Sequence, residues 1–311
     1  MDRRTAIRAL GAGMASWCVS TRHANDIDAA TADRLRWVDA HSHIWTPDVD
    51  KFPLAEGVSV EDLAPRSFTD EQLLKVANPL GVERVVLIQH HTYHAYDNSC
   101  CIAAASKRPD TFRVVGMMDE TLADIPQRMN KLLADRVTAF RITPRIRPDS
   151  WLTSDGAKVM WRTAARTGQS MCCLIDSEHL EAVDASCKQF PDTRVVIDHF
   201  ARIGVDGQIR DTDVKKLCRL SRHRQTYVKV SAFYALGKKR PPHNELRPMV
   251  RALFDAFGPE RLMWGSDCPY QLNESNNYQS SLDFMNSLDY LSDGDRLWVM
   301  RKTAEKVFFA A

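Results

Sequence analysis

From Trp37 onward, short β-branched and apolar runs alternate with longer segments whose apolar residues recur at helical spacing. The runs predict strands at Trp37–Ile44, Arg84–His91, Phe112–Asp119, Val137–Thr143, Met171–Ile175, Arg194–Phe200, Thr226–Ala232 and Leu262–Asp267. Their starts lie about 23 to 47 residues apart, which leaves room for a crossover helix and is too long for a hairpin. Parallel strands follow. Between them, Leu73, Leu74, Val76 and Ala77, and likewise Ile125, Met129, Leu132 and Leu133, mark apolar helix faces. Thr69 and Ser177 stand where N-caps belong, Gly81, Gly168 and Gly258 supply stops, and Asp293 to Phe309 reads as a closing helix.

Eight such units without a break predict one α/β domain over residues 36–311, a (β/α)8 TIM barrel. The competing architecture is an open doubly wound sheet, which would carry a glycine-rich phosphate turn after its first strand. Here the first strand runs into His41-Ser42-His43 instead.

A barrel of this kind holds its active site at the C-terminal ends of the strands, so the polar residues ending each strand are the candidates. The first ends in two histidines at i and i+2, which an extended chain places on one face, able to grip one divalent ion or one substrate oxygen. The second ends Gln89-His90-His91, the fourth carries Arg141, the sixth ends Asp198-His199, the seventh carries Lys229 and Ser231, and the eighth ends Gly265-Ser266-Asp267-Cys268-Pro269. An isolated His-x-His is a weak pattern, and Asp267 alone could be a turn carboxylate. Ionisable groups ending three otherwise apolar strands are costly to bury without a purpose, which singles out His41, His43, His199 and Asp267.

Composition narrows the partners. Lys and Arg number 42 against 40 Asp and Glu, a formal charge of +2 that leaves no electrostatic footprint for nucleic acid. No run approaches about 18 apolar residues, so no membrane span is expected and a small molecule is the expected partner; oligomeric state stays open. The 8 cysteines include the adjacent pairs Cys100-Cys101 and Cys172-Cys173 and read as buried thiols rather than a disulfide framework or structural zinc site. The first 30 residues stand apart. Arg3-Arg4 ahead of a small, mildly apolar run from Ala9 to Ser20 resembles a twin-arginine export signal and predicts a periplasmic protein; Arg8 and the lack of a clean cleavage site leave open an uncleaved cytoplasmic leader.

Trp37-Val-Asp-Ala-His-Ser-His-Ile-Trp45, Val195-Val-Ile-Asp-His-Phe200 and Leu262-Met-Trp-Gly-Ser-Asp-Cys-Pro-Tyr270 together resemble the amidohydrolase superfamily. More narrowly, with Gly81 to Gln89 and Asp97-Asn98, they resemble its amidohydrolase-related branch, which includes pyrone dicarboxylate lactonase, sulfomuconolactone hydrolase and L-fuconolactonase. The resemblance covers about residues 36 to 311 and implies a barrel hydrolase acting on a lactone or related ester of a sugar acid or aromatic-degradation acid. Many metal-dependent members add a histidine after the fifth strand or a bridging lysine or glutamate on the fourth; this chain has Asp176 and Arg141 there. At most one divalent metal is therefore expected, zinc first, on His41, His43 and Asp267 with His199 as a substitute; the branch also contains metal-free enzymes.

For such a reaction Asp267 is the expected general base, while His41, His43 and His199 stabilise the oxyanion or hold the ion. Arg141 is the expected partner of a substrate carboxylate, with Arg145 and Lys229 as reserves and Gln89 and His91 as pocket walls. Cys268 reads as packing rather than nucleophile. Two alternatives remain: a zinc-dependent decarboxylase of the same superfamily, and a barrel that binds a small molecule without turnover.

Overall fold

A computed structural model describes residues 36–310 apart from 274; the expected leader over residues 1–30 lies outside the described residues. Eight parallel strands run in the order of the chain: β1 (Trp37–Ser42), β2 (Val82–Ile88), β3 (Phe112–Gly116), β4 (Val137–Ile142), β5 (Ser170–Cys173), β6 (Arg194–Ile197), β7 (Thr226–Ser231) and β8 (Leu262–Gly265). The main-chain bonds Asp267 N–H to His41 C=O (2.7 Å) and His43 N–H to Cys268 C=O (2.8 Å) close the sheet into a (β/α)8 barrel. Gly265 makes this seam possible: a Cβ there would lie 2.9 Å from His41 Cβ and 3.1 Å from its amide nitrogen.

Asp39 ties the seam together from inside. It accepts from Ser42 Oγ (2.6 Å), Ser266 N–H (2.8 Å), Ser266 Oγ (2.6 Å), Tyr278 Oη (2.6 Å) and its near neighbour His41 N–H (3.0 Å). A buried carboxylate is tolerable only with this many donors.

Apolar residues fill two layers. Leu73, Met129, Trp161, Leu253 and Trp264 belong to the large cluster in which the helices pack on the strands, whereas Val38, Ala40, Val86, Ala139, Cys172, Val196 and Met263 pack with Ala304, Val307 and Phe308 from the end of the chain. That closing segment, begun at Asp293–Leu297, widens into π-helical turns over Trp298–Lys302 and Glu305–Phe309.

The helix signals hold at Thr69, whose hydroxyl caps Asp70–Ala77 in a reciprocal box with Gln72, and at Gly81 and Gly168, both left-handed C-caps. Ser177 is not a cap: Asp176 precedes a short 3₁₀ turn over Ser177–His179 that leads into Leu180–Gln189. The seven cysteines of the described region are free, and most are buried. No helix among the described residues is long and apolar enough to cross a membrane.

Candidate functional site

All eight strands end one to three residues earlier than the hydrophobic pattern implies, because their polar ends peel away from the ladder to form the mouth of the barrel. Two departures aim the histidines. In β1 the pairing shifts between Asp39 and Ser42, one residue more than β2 offers over the same stretch. This bulge lets Ala40 pack in the barrel interior while His41, next along, also turns inward, and His43 follows. After β6 the backbone enters a left-handed turn in which His199, Phe200, Ala201 and Arg202 all have φ between 51° and 55°. Such angles cost non-glycine residues about 1–3 kcal/mol each, so the surrounding fold holds His199 and Arg202 in place against local preference.

His41, His43, His199 and Asp267 converge. Asp267 Oδ1 lies 3.3 Å from His43 Nε2 and 3.5 Å from His41 Nε2, and Oδ2 lies 3.8 Å from His199 Nε2. Oδ2 also accepts from Tyr234 Oη (2.7 Å). His43 Nδ1 donates to the Ile88 carbonyl (2.8 Å), which leaves the Nε2 lone pair facing the carboxylate. His199 Nδ1 is fixed by Ser231 Oγ (2.8 Å).

His41 is held from below by charges. Arg141 Nη2 is 2.7 Å from His41 Nε2, and because a guanidinium can only donate, this nitrogen accepts; on the other side of the ring Lys229 Nζ stands 3.1 Å from Nδ1. Nδ1 faces Asp198 Oδ1 (3.6 Å), which Lys229 Nζ engages at 3.1 Å, while Arg141 binds Oδ2 (3.1 Å). Burial raises a carboxyl, yet Lys229, His41 and Arg141 together hold Asp198 well below its ordinary value of 3.8. For Asp267 burial prevails over His199, Tyr234 and Arg141, and its carboxyl is raised above 3.8. Burial, then Arg141, lowers His43 to about 3, and burial with Lys229 and His199 lowers His41 far below 6.5, so both imidazoles are neutral near pH 7.

A cavity of about 690 Å³ opens above this cluster, lined by His43, His199, Asp267, Arg141, Arg145 and His91 among others. Arg145 is exposed at its rim and His91 half-buried in its wall. Two residues expected at the substrate lie elsewhere. Lys229, wholly buried, belongs to the layer beneath His41, since it follows Tyr227 on the inward face of β7, and its charge is committed to Asp198. Gln89 is buried beside the mouth and donates to the carbonyls of Ala95 and Asp97, anchoring the loop after β2. Conversely, His90, Arg202, Tyr234 and Tyr270, to which the sequence pattern assigns no role, line the cavity. His90 and Tyr270 stood beside chosen residues in the sequence; Tyr234 and Arg202 sit in turns that carry no periodic signal.

The donor set suits one metal ion and disfavours two. His41, His43 and Asp267 bring ligand atoms within 4.8 Å of one another, and the opposed lone pairs of His43 and Asp267 are the arrangement a cation reconciles. A second grouping, His41, Asp198 and His199, meets the same distance, but the Lys229 ammonium already occupies Asp198.

A family model described as Amidohydrolase matches residues 38–310. L-Fucono-1,5-lactonase of Burkholderia ambifaria is 26% identical over 239 residues, covering 75% of this chain and 80% of that protein. A 4-sulfomuconolactone hydrolase of Hydrogenophaga intermedia is 24% identical over 236 residues, 75% of this chain and 74% of its own. A crystal structure of a probable 2-pyrone-4,6-dicarboxylic acid hydrolase from Acinetobacter baumannii superposes with a TM-score of 0.75 at 19% identity, over 88% of this chain and 99% of that one.

Proposed function

Because the chain belongs to the amidohydrolase family, we propose that it opens the lactone ring of a carboxylate-bearing sugar acid or aromatic-degradation acid by attack of an activated water. The observation that carries this reading is the convergence of Asp267 with three neutral histidines and Arg141 under a single open cavity. Tyr234 occupies Oδ2 of Asp267, which leaves Oδ1 to take a proton from water; a well-placed base of this kind contributes about 10²- to 10⁴-fold. Arg141, which lines the cavity, offers N–H groups to the negative charge that develops on the carbonyl oxygen, with His199 beside it. Arg145 at the cavity wall gives the substrate carboxylate its counter-charge, with Arg202 beside it already paired to Asp176 (2.7 Å). A single zinc ion would be held by His41, His43 and Asp267 with His199 beside them, and when bound it supplies carbonyl polarisation and a bound water of pKa about 7.

The test is a panel of lactones, with and without a carboxylate, read by acid release and product mass. Ring-opened acid supports the reading. Carbon dioxide release would assign the chain to decarboxylation, and binding without product would make it a binding barrel. The twin-arginine-type leader extends the proposal to export, which cell fractionation of the full chain tests.

A further inference from the structure

The active-site cavity has an apolar neighbour. A smaller space of about 30 Å³ is walled by Met117 and Met118 after β3, Met171 of β5, and Trp151, Met160 and Trp161, the last two from the helix Asp155–Thr167. Met117, Arg141, Thr143 and Ile146 border this space and the cavity alike, so it is an annex lying directly against the site.

Its frame is rigid and its lining adaptable. Gly156 lets the helix press on the segment after β3, since a Cβ there would lie 1.7 Å from the Glu120 carbonyl oxygen. Ser154 Oγ caps the same helix at the Ala157 N–H (3.1 Å), which fixes the depth of Ala157, Met160 and Trp161 in the annex wall. The four methionines, unbranched and freely rotating, can reshape around a guest. Ile146 is half-buried where the two spaces meet and stands outside the core clusters, which leaves it room to yield.

The chemistry of the border decides what kind of guest fits. Arg147 donates to Tyr96 Oη (3.0 Å), Glu120 Oε2 (2.7 Å) and Asp119 Oδ1 (3.0 Å), so its charge is committed to carboxylates that the protein itself supplies. A carboxylate placed among the methionines would therefore lose its water without gaining a counter-ion there, whereas an alkyl group would fill a space whose apolar walls give water few partners. A water needs about 10–15 Å³ of such space, so the annex holds about two groups of that size, a methyl or an ethyl chain. Arg141 fixes where the chain is attached. Its N–H groups serve the lactone carbonyl oxygen and it also borders the annex, so a group entering the annex is carried by the ring carbon beside that carbonyl.

We propose that the annex is a substrate subsite for a short alkyl group on the ring carbon next to the lactone carbonyl. This rests on the lactone-opening reading and narrows its substrate class to lactones branched at that carbon.

The experiment compares parent, Ala157→Val and Met160→Ala on δ-valerolactone and its methyl, ethyl and butyl derivatives. Each chain is placed either on the carbon beside the carbonyl or on the carbon beside the ring oxygen. Every kcat/KM is divided by the rate at which hydroxide opens the same lactone, which removes intrinsic reactivity. For the parent, chains beside the carbonyl should raise this ratio about two- to fourfold per carbon as far as ethyl, the gain expected of a buried methylene, and butyl should fall back. Chains beside the ring oxygen should gain less at every length. Ala157→Val, which fills the annex, should flatten the rise, and Met160→Ala, which enlarges it, should move the maximum to butyl. Comparisons between substrates are internal to each protein, so a partly unfolded preparation does not alter them. A parent series that is flat or falling to ethyl, an equal gain for chains beside the ring oxygen, or a rise that Ala157→Val leaves intact overturns the subsite while the lactonase reading stands. A parent that opens no lactone overturns both.

Discussion

Lys229 Nζ lies 3.1 Å from Asp198 Oδ1, both side chains completely buried one layer below the cavity. Replacing Lys229 by Met would leave Asp198 with Arg141 as its remaining cationic partner in a dry interior. Removing one member of a buried pair costs about 3–5 kcal/mol. Guanidinium unfolding of Lys229→Met should show a loss of that order, toward its lower end because Arg141 remains. A midpoint like the parent's would mean that the pair contributes nothing net.

Asp267→Asn should keep the fold, since the amide oxygen can still accept from Tyr234, while turnover drops by at least about two orders of magnitude. The parent's pH profile tests the same assignment. A base works only when ionised, and burial raises Asp267 above 3.8, so kcat/KM should fall as pH drops through a value above 3.8. Asp267→Asn should abolish that acid limb in its residual activity.

The two arginines near the substrate should separate. Arg141 bonds to His41 and Asp198, so Arg141→Lys should slow carboxylated and neutral lactones alike. Arg145 stands exposed at the rim, where a charge pair contributes roughly 0.2–1 kcal/mol; Arg145→Ala should raise KM a few-fold for carboxylated lactones and leave neutral ones alone. Selective loss on carboxylated substrates in Arg141→Lys would reverse these roles.

Metal content should not exceed about one divalent ion per chain, because Lys229 blocks the second grouping and Arg141 competes for the His41 lone pair. His41→Ala should abolish what binding there is. Two tightly held ions by elemental analysis would contradict this, and full activity after exhaustive chelation would assign the chemistry to the side chains alone.

Much of this was legible beforehand. Eight apolar runs at crossover spacing define a barrel whatever their exact ends, and ionisable residues at those ends mark its mouth. What escaped was geometry that leaves no periodic trace. The β1 bulge puts Ala40 and His41 on the same side, which strict alternation forbids, and the left-handed turn that delivers Arg202 is not favoured by the residues composing it. Lys229 lies one layer lower than a substrate partner would for a related reason: alternation gives the face a residue points to, not its depth along the barrel. Gln89 reads as a wall residue until the loop carbonyls it satisfies are seen.

The hydrogen bond from Asp267 N–H to His41 C=O joins the first and last strands at the residues that flank the cavity floor. Opening that seam and dismantling the site are consequently one event, and a ligand seated on Asp267 must be released before the amide can meet solvent. Deuterium exchange at the Asp267 amide is thus a built-in occupancy meter. At a ligand concentration 100 times Kd the linkage amounts to about 2.7 kcal/mol, so exchange through seam opening should slow roughly a hundredfold, with or without turnover.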